Sequence, residues 1–357
     1  MLRNQFSVPA FVLAGLFLLV YSCKKSNNDN GGNPVTPPAV VIEPPPPFGF
    51  YVVGYMPEYR DPATIPDVKF RMCNVINYAF ATVNSSGTPV VASPAHLATV
   101  AAKAKANGAK IFISVNGTTT NWRNMAANAT GRNDFIKAIM TMVRQYGLHG
   151  VDIDWEFPST SDGTDVTYTA LMKELSDSCH RDRKYYLTAA LTAGKYAGSI
   201  RDAIKNEIFT YCDFLNIMAY DDFSTSVSFK HHSDLALANT CLNYWLTTRG
   251  MPPAKCVLGL PGYGRPSGIS QSGSILAYSS ILTRGGSAQS DSASVTVTGV
   301  NGGNPYTIYY NGQPTIKLKT QQAKTRANGV MLWEKGQDDH GANSLLKAVC
   351  DTIGRAY

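Results

Sequence analysis

From about residue 49, short apolar runs alternate with longer stretches in which apolar residues recur at helical spacing. The apolar runs are Phe50–Tyr55, Asn74–Phe80, Lys110–Val115, Val151–Phe157, Tyr186–Leu191, Phe214–Tyr220, Cys256–Leu260 and Gly329–Trp333. Most are nearly continuous in apolar residues, as strands covered on both faces should be. Between them, His96–Asn107 is Ala-rich, and Asp134–Tyr146 spaces Phe135, Ile136, Ile139, Met140, Met142 and Val143 as one helical face. Asp165–His180, Ser199–Phe209, Ser233–Thr248, Lys317–Ala327 and Gly341–Ile353 also read as helices, with Asp165, Ser199 and Ser233 suited to N-caps. Eight strands alternating with helices over some 300 residues predict an α/β fold, a (β/α)8 TIM barrel. The interval from Leu260 to Val330 is irregular and Ser/Gly-rich, with β-prone pieces Ser294–Val300 and Tyr306–Tyr310. A small β-rich insertion, about 266–316, is expected there above the barrel mouth.

The chain ahead of this region has a different character. Lys24 to Phe48 is rich in Asn, Gly and Pro, cannot bury a core, and is expected to be a disordered spacer. Pro9 to Tyr21 is an apolar stretch of 13 residues, short for a bilayer span, and ends at Val20-Tyr21-Ser22-Cys23. This resembles a bacterial lipobox, which makes residues 1–23 a lipoprotein signal peptide and Cys23 the lipidation site. The mature protein would be exported and tethered to a membrane by lipid, at the outer membrane on its periplasmic or cell-surface face. An ordinary signal peptide with an incidental cysteine is the alternative.

Composition narrows the function classes. The 357 residues are 44% hydrophobic and 16% charged, enough to bury one large core or two ordinary ones. A net charge of +7 without long basic runs argues against a nucleic-acid partner. Apart from Cys23, the cysteines are Cys73, Cys179, Cys212, Cys241, Cys256 and Cys350. They form no CxxC pattern and have no His at metal spacing, so no metal is expected. Buried thiols and disulfides are equally open to them.

The chemistry concentrates in Gly150-Val151-Asp152-Ile153-Asp154-Trp155-Glu156-Phe157-Pro158. Side chains two apart on a strand share a face, so Asp152, Asp154 and Glu156 line one side. Three acids this close repel one another and resist desolvation, which points to a functional site and to shared protons. Barrel chemistry sits at the C-terminal ends of strands, so Glu156 is best placed to meet a ligand.

Here the chain resembles glycoside hydrolase family 18, the chitinase family. The family signature, D-x-x-D-x-D-x-E on the fourth barrel strand, is met by Asp152, Asp154 and Glu156, while His149 replaces the first Asp. Gly54-Tyr55, Ile76–Phe80, Lys110–Gly117, Met218-Ala219-Tyr220-Asp221, Leu258–Arg265 and Gly329–Trp333 resemble the first, second, third, sixth, seventh and eighth strands. Asn116 stands where the third strand usually has glycine. The resemblance spans about residues 49–355 and makes residues 49–357 the catalytic barrel.

The resemblance implies hydrolysis of β-1,4 linkages between N-acetylglucosamine units with retention, the substrate's own acetamido oxygen serving as nucleophile. Glu156 would be general acid and then general base. Asp154 would accept from the acetamido N–H, and Asp152 would share a proton with Asp154, supported by Tyr55 and Ser114. Tyr220 would donate to the acetamido oxygen, Asp221 would contact substrate or orient neighbours, and Trp333 would floor the sugar. Phe80, Met218, Tyr263 and Arg265 complete the expected binding residues, although Met218 reads first as core and at most as a wall of the acetamido pocket. Trp122 reads either as a sugar-stacking or as a loop-packing residue, and Trp245 as structural. No cofactor is required, and the partner is a polysaccharide or glycan containing N-acetylglucosamine, bound by a monomer. Two alternatives are an endo-β-N-acetylglucosaminidase acting on the chitobiose core of N-glycans and a non-catalytic glycan-binding lipoprotein.

Overall fold

The computed structural model describes residues 40–357. The export signal and Cys23 lie outside the described residues. Eight parallel strands form the barrel: β1 (Tyr51–Pro57), β2 (Val75–Val83), β3 (Lys110–Gly117), β4 (Gly150–Ile153), β5 (Tyr186–Leu191), β6 (Phe214–Ile217), β7 (Cys256–Pro261) and β8 (Gly329–Trp333). Each pairs in parallel with its sequence neighbours, and β1 pairs with both β8 and β2, which closes the sheet. The expected TIM barrel is therefore the observed fold.

Two apolar layers hold it together. Alternate strand residues such as Val53, Val75, Phe112, Phe214, Val257 and Met331 fill the barrel interior. Their neighbours, including Val52, Ile76, Ile113, Val151, Ile153 and Leu258, face outward against the helices. Residues of either set are buried, which is why the strands read as continuous apolar runs. The base of the barrel is closed by aromatic rings. Tyr51 stacks on Phe214 at 4.2 Å, and Phe48 meets Tyr51 and Tyr186 edge-on at 5.1 and 5.4 Å.

Phe48 belongs to the expected spacer, and residues 40–48 lie against this base. Asp182 N–H donates to the Val41 carbonyl, Glu43 N–H to the His180 carbonyl, and the Tyr186 hydroxyl to the Pro46 carbonyl at 2.8 Å. Backbone partners therefore hold the end of a segment whose composition suggested none.

Several boundaries differ from the sequence expectation. The ladders of β4 and β6 stop at Ile153 and Ile217, so Asp154–Phe157 and Met218–Tyr220 lie beyond them, at the mouth. The helix expected from Asp134 starts at Ala129, capped by Asn128, whose side chain accepts from Gly131 N–H. None of the three proposed N-caps holds that position. Gly163 and Gly198 precede two of the helices, and Asp234 caps the third by accepting from Leu237 N–H. Asp165 is instead half-paired with Lys205 at 2.9 Å, and Ser233 is buried with its hydroxyl donating to the Ala219 carbonyl.

Between β7 and β8 lies a small antiparallel sheet of Tyr263–Pro266, Leu276–Ala277, Ser292–Val295 and Tyr306–Tyr309. The six cysteines from Cys73 to Cys350 are buried free thiols. Trp122 is also buried, stacked on Trp155 at 5.0 Å, so it packs the core and meets no sugar. Trp245 is buried as well and donates to the Thr192 carbonyl at 3.1 Å. Among the described residues, no helix is long and apolar enough to cross a membrane.

Candidate active site

The strand registers place a polar cradle inside the barrel. Ser114 is the β3 partner of Asp152, and Thr188 is its β5 partner. Their hydroxyls donate to Asp152 at 2.7 and 2.6 Å. Tyr55 of β1 adds a third bond at 2.7 Å, and Asn216 Nδ2 of β6 a fourth at 3.3 Å. Tyr55 and Ser114 share Oδ2, while Thr188 and Asn216 share Oδ1. Burial pushes the Asp152 carboxyl above its usual range, and these four donors, which favour the ionised form, offset only part of that rise. With both oxygens filled by donors, no hydrogen bond joins Asp152 to Asp154.

Asp154 has a different environment. Its backbone N–H still bonds the Val115 carbonyl, continuing the pleat, but its buried Oδ1 has no partner. Burial, then the charges of Glu156 and Asp152, push it well above the usual carboxylate range. Glu156 comes next on the same face and reaches the mouth, where its side chain meets solvent. The surrounding walls, and then the charge of Asp221, push it up too. Its carboxyl makes no hydrogen bond, so it is free to bond a ligand. The three acids thus run from sealed to open, from the end of β4 into the mouth, on the one face that their alternation predicted.

A hollow of about 140 Å³ opens beside Asp154 and Glu156. Tyr55, Phe80, Met218, Tyr220, Asp221 and Trp333 line it, together with Asn116. Trp333 stacks on Phe80 at 5.6 Å and meets Tyr55 edge-on, which fixes its ring as a flat wall. The Tyr220 hydroxyl has only the Met331 sulfur near it, at 3.9 Å, and remains available as a donor. Gly259 of β7 makes this placement possible. A Cβ there would lie 2.3 Å from the Ile217 carbonyl and 2.9 Å from the Tyr220 ring.

Glu156, Met218, Tyr220 and Asp221 also border a second hollow of about 270 Å³, which runs on past Phe157, Thr192 and Tyr196. Glu156 therefore stands where two sugar-sized spaces meet.

Asp221 is held rather than free. Arg265 grips it with two bonds, Nε to Oδ1 at 2.5 Å and Nη2 to Oδ2 at 2.9 Å, and the Tyr263 hydroxyl donates to Oδ1 at 2.5 Å. Burial alone would raise its pKa. Bonds from His232, Arg265 and Tyr263, with the Arg265 charge, overrule that and hold it well below the usual carboxylate range. Its backbone φ of +65° is left-handed, a conformation Asp tolerates better than most residues.

Twelve side chains named from the sequence thus converge on this region, in different layers. Glu156, Asp154, Tyr220, Tyr55, Phe80, Met218, Asp221 and Trp333 line the hollow. Asp152 and Ser114 lie sealed beneath it, and Tyr263 and Arg265 act through Asp221. Sequence reasoning missed Thr188, Asn216 and His232. The first two are polar residues inside otherwise apolar strands, Tyr-Leu-Thr-Ala-Ala-Leu and Phe-Leu-Asn-Ile, and that interruption was the available signal.

Comparison with known proteins agrees with this geometry. Residues 51–338 match the sequence profile of glycosyl hydrolases family 18. The chain is 34% identical to a probable endochitinase of Caenorhabditis elegans over 164 residues, 40% of this chain and 26% of that one. Matches to the first curated relatives span 26% to 65% of their lengths. A chitinase from the chitin utilization locus of Flavobacterium johnsoniae superposes with a TM-score of 0.69 at 28% identity, covering 85% of this chain and 94% of that one. A plant class V chitinase mutant from Cycas revoluta, in complex with (GlcNAc)3, shares the fold with a TM-score of 0.72 at 24% identity, covering 85% of this chain and all of that one. With the profile matched along most of the barrel and the acids on its fourth strand in place, the chain belongs to glycosyl hydrolase family 18.

Proposed function

We propose that this chain hydrolyses β-1,4 linkages between N-acetylglucosamine units, with retention and with Glu156 as general acid and base. One observation carries the reading: two unpaired carboxyls, Asp154 and Glu156, share one wall of the hollow, and no free carboxylate is left to attack from elsewhere. Among the described residues, the only other acid lining it, Asp221, is committed to Arg265 and Tyr263. A retaining reaction then needs a nucleophile from the substrate, and a neighbouring acetamido oxygen supplies one.

The residues divide the work accordingly. The smaller hollow takes the sugar being cleaved, its apolar face on Trp333, and the larger takes the leaving sugar. Glu156, raised by its surroundings, keeps its proton until the glycosidic oxygen arrives between them, then takes a proton from the incoming water. Asp154 Oδ1, buried without a donor, accepts from the acetamido N–H. Tyr220 donates to the acetamido oxygen and aligns it with the anomeric carbon. Asp152 keeps a fixed negative charge beneath Asp154, favouring the positive ring intermediate.

Chitotetraose and a high-mannose glycoprotein, each analysed for products, test the substrate. Cleavage of the glycoprotein alone would replace this reading with that of an endo-β-N-acetylglucosaminidase. Glu156→Gln should lower kcat at least about 100-fold while oligomer binding persists, given that proton transfer contributes roughly 10²–10⁴-fold. Equal, negligible turnover in both proteins would make the chain a glycan-binding protein instead. The lipid tether at Cys23 belongs to the same proposal, and labelled palmitate should be incorporated by the native chain but not by Cys23→Ala.

A further inference from the structure

A concavity of about 340 Å³ plays no part in the site above. It lies between the helix Ala129–Gln145 and the turn after the helix Thr164–Cys179. Lys137, Arg144, Arg181 and Lys184 line it, with Asp182 the one acid among the described residues. Neighbouring Arg132 and Arg183 are paired with Glu174 and Glu43. Arg144, Arg181 and Lys184 have no carboxylate within ion-pair distance among the described residues. Like charges left around one concavity repel, and a bound anion would relieve them.

Position and lining narrow the anion. Arg144 sits in the last turn of its helix, and Arg181 and Lys184 immediately precede β5. All three therefore lie at the strands' N-terminal end, opposite the mouth. The described chain also begins here, since Ile42 bridges Arg181 and Val41 accepts from Asp182 N–H. The concavity's apolar lining is Ile136, Met140 and Tyr185. A free inorganic anion would engage the cations and leave these apolar side chains unused, whereas an anionic lipid offers its phosphate to the cations and its glycerol–acyl portion to the apolar side chains.

We propose that this basic concavity holds the phosphate of an anionic membrane lipid, seating the barrel by its base with its mouth turned to solution. The proposal stands apart from the hydrolase reading and does not require acylation. Its test uses the full chain carrying Cys23→Ser, with sedimentation on phosphatidylglycerol-containing and on pure phosphatidylcholine vesicles. The neutral vesicles set the baseline for any retention through the apolar N-terminal stretch. Arg181→Glu with Lys184→Glu should reduce partition onto the anionic vesicles about 30-fold or more, at about fivefold per basic residue. Added salt should weaken the wild type likewise. Arg284→Glu with Lys317→Glu, exposed cations elsewhere with the same charge change, should keep most of the affinity. Turnover of chitotetraose, or oligomer binding should turnover be absent, reports that each variant is folded. Equal loss in both double variants, or equal partition onto both vesicle types, would overturn the proposal. So would displacement by millimolar inorganic phosphate at matched ionic strength, which would make the concavity a site for a soluble anion.

Discussion

Replacing Arg265 with Met tests whether the acid at the mouth is tuned by the clamp behind it. The substitution removes the two bonds at 2.5 and 2.9 Å that hold Asp221, leaving Tyr263 and the more distant His232 as its partners. Asp221 stays ionised, but its charge is no longer offset by the guanidinium. Asp221 and Glu156 border the same hollow, and a separation of roughly 6 Å is the scale at which neighbouring charges shift one another. At that distance a unit charge contributes about 2.5 kcal/mol at an effective dielectric of 20 and about half that near open solvent. The lower figure applies, because Asp221 and Glu156 both meet water, and it amounts to about one pKa unit. Repulsion favours the protonated carboxyl, so Glu156 should hold its proton to higher pH. The alkaline limb of kcat/KM on chitotetraose should then move up by about one unit. Asp221→Asn, tolerated at a left-handed backbone, removes the charge and should move the same limb down. If both substitutions change only the height of the profile, or shift it in one direction, the electrostatic account of Glu156 is wrong.

Other expectations follow from single contacts. Gly259→Ala should displace Tyr220 and cut turnover at least tenfold with only a modest KM change, checked by steady-state kinetics. Thr188→Ala or Ser114→Ala should cost about 1.5–3 kcal/mol by denaturant unfolding, because each leaves a buried carboxylate one donor short. Lys319→Met should cost a comparable ~2–3 kcal/mol, since the buried ammonium bonds the Ser233 carbonyl, the Ser233 hydroxyl and Asn311 Oδ1 within 2.8 Å, and the change leaves acceptors unpaired. His149 Nδ1 accepts from Ile111 N–H at 3.1 Å, and burial, then Lys110 and Lys105, lower its pKa. Its contribution is therefore intact above the unfolded histidine value near 6.5 and is lost as pH falls through the lower folded value. Thermal melts of wild type should drop more steeply from pH 7 to pH 4 than those of His149→Asn.

The barrel was legible because every strand is covered on both sides, so apolar runs and their spacing carried the topology. The acid trio was legible because a pleat puts alternate residues on one face, and the gradient from Asp152 to Glu156 follows from that together with the open C-terminal end of the barrel. The cap positions were not, because Asp165 and Ser233 serve contacts with Lys205 and Ala219 that no local pattern records. The partners of Asp152 were half visible. Tyr55 and Ser114 came from family likeness, while Thr188 and Asn216 are single polar residues whose purpose depends on strand register. The clamp on Asp221 joins the sixth strand's end to the insertion, 42 and 44 residues further on, and only folding brings these pieces together. The hold on residues 40–48 was hidden for another reason: their partners, the backbone of His180 and Asp182 and the side chains of Arg183 and Tyr186, lie far along the chain, and composition does not encode them.

The cradle around Asp152 draws on β1, β3, β5 and β6, four staves of the cask, and fastens them to one buried charge. Catalytic geometry and structural cohesion are therefore locked to the same keystone, and neither can drift without the other. Divergence in diet should accordingly be written at the rim, in positions such as Asn116 and Tyr196, while the keystone and its four fastenings stay fixed.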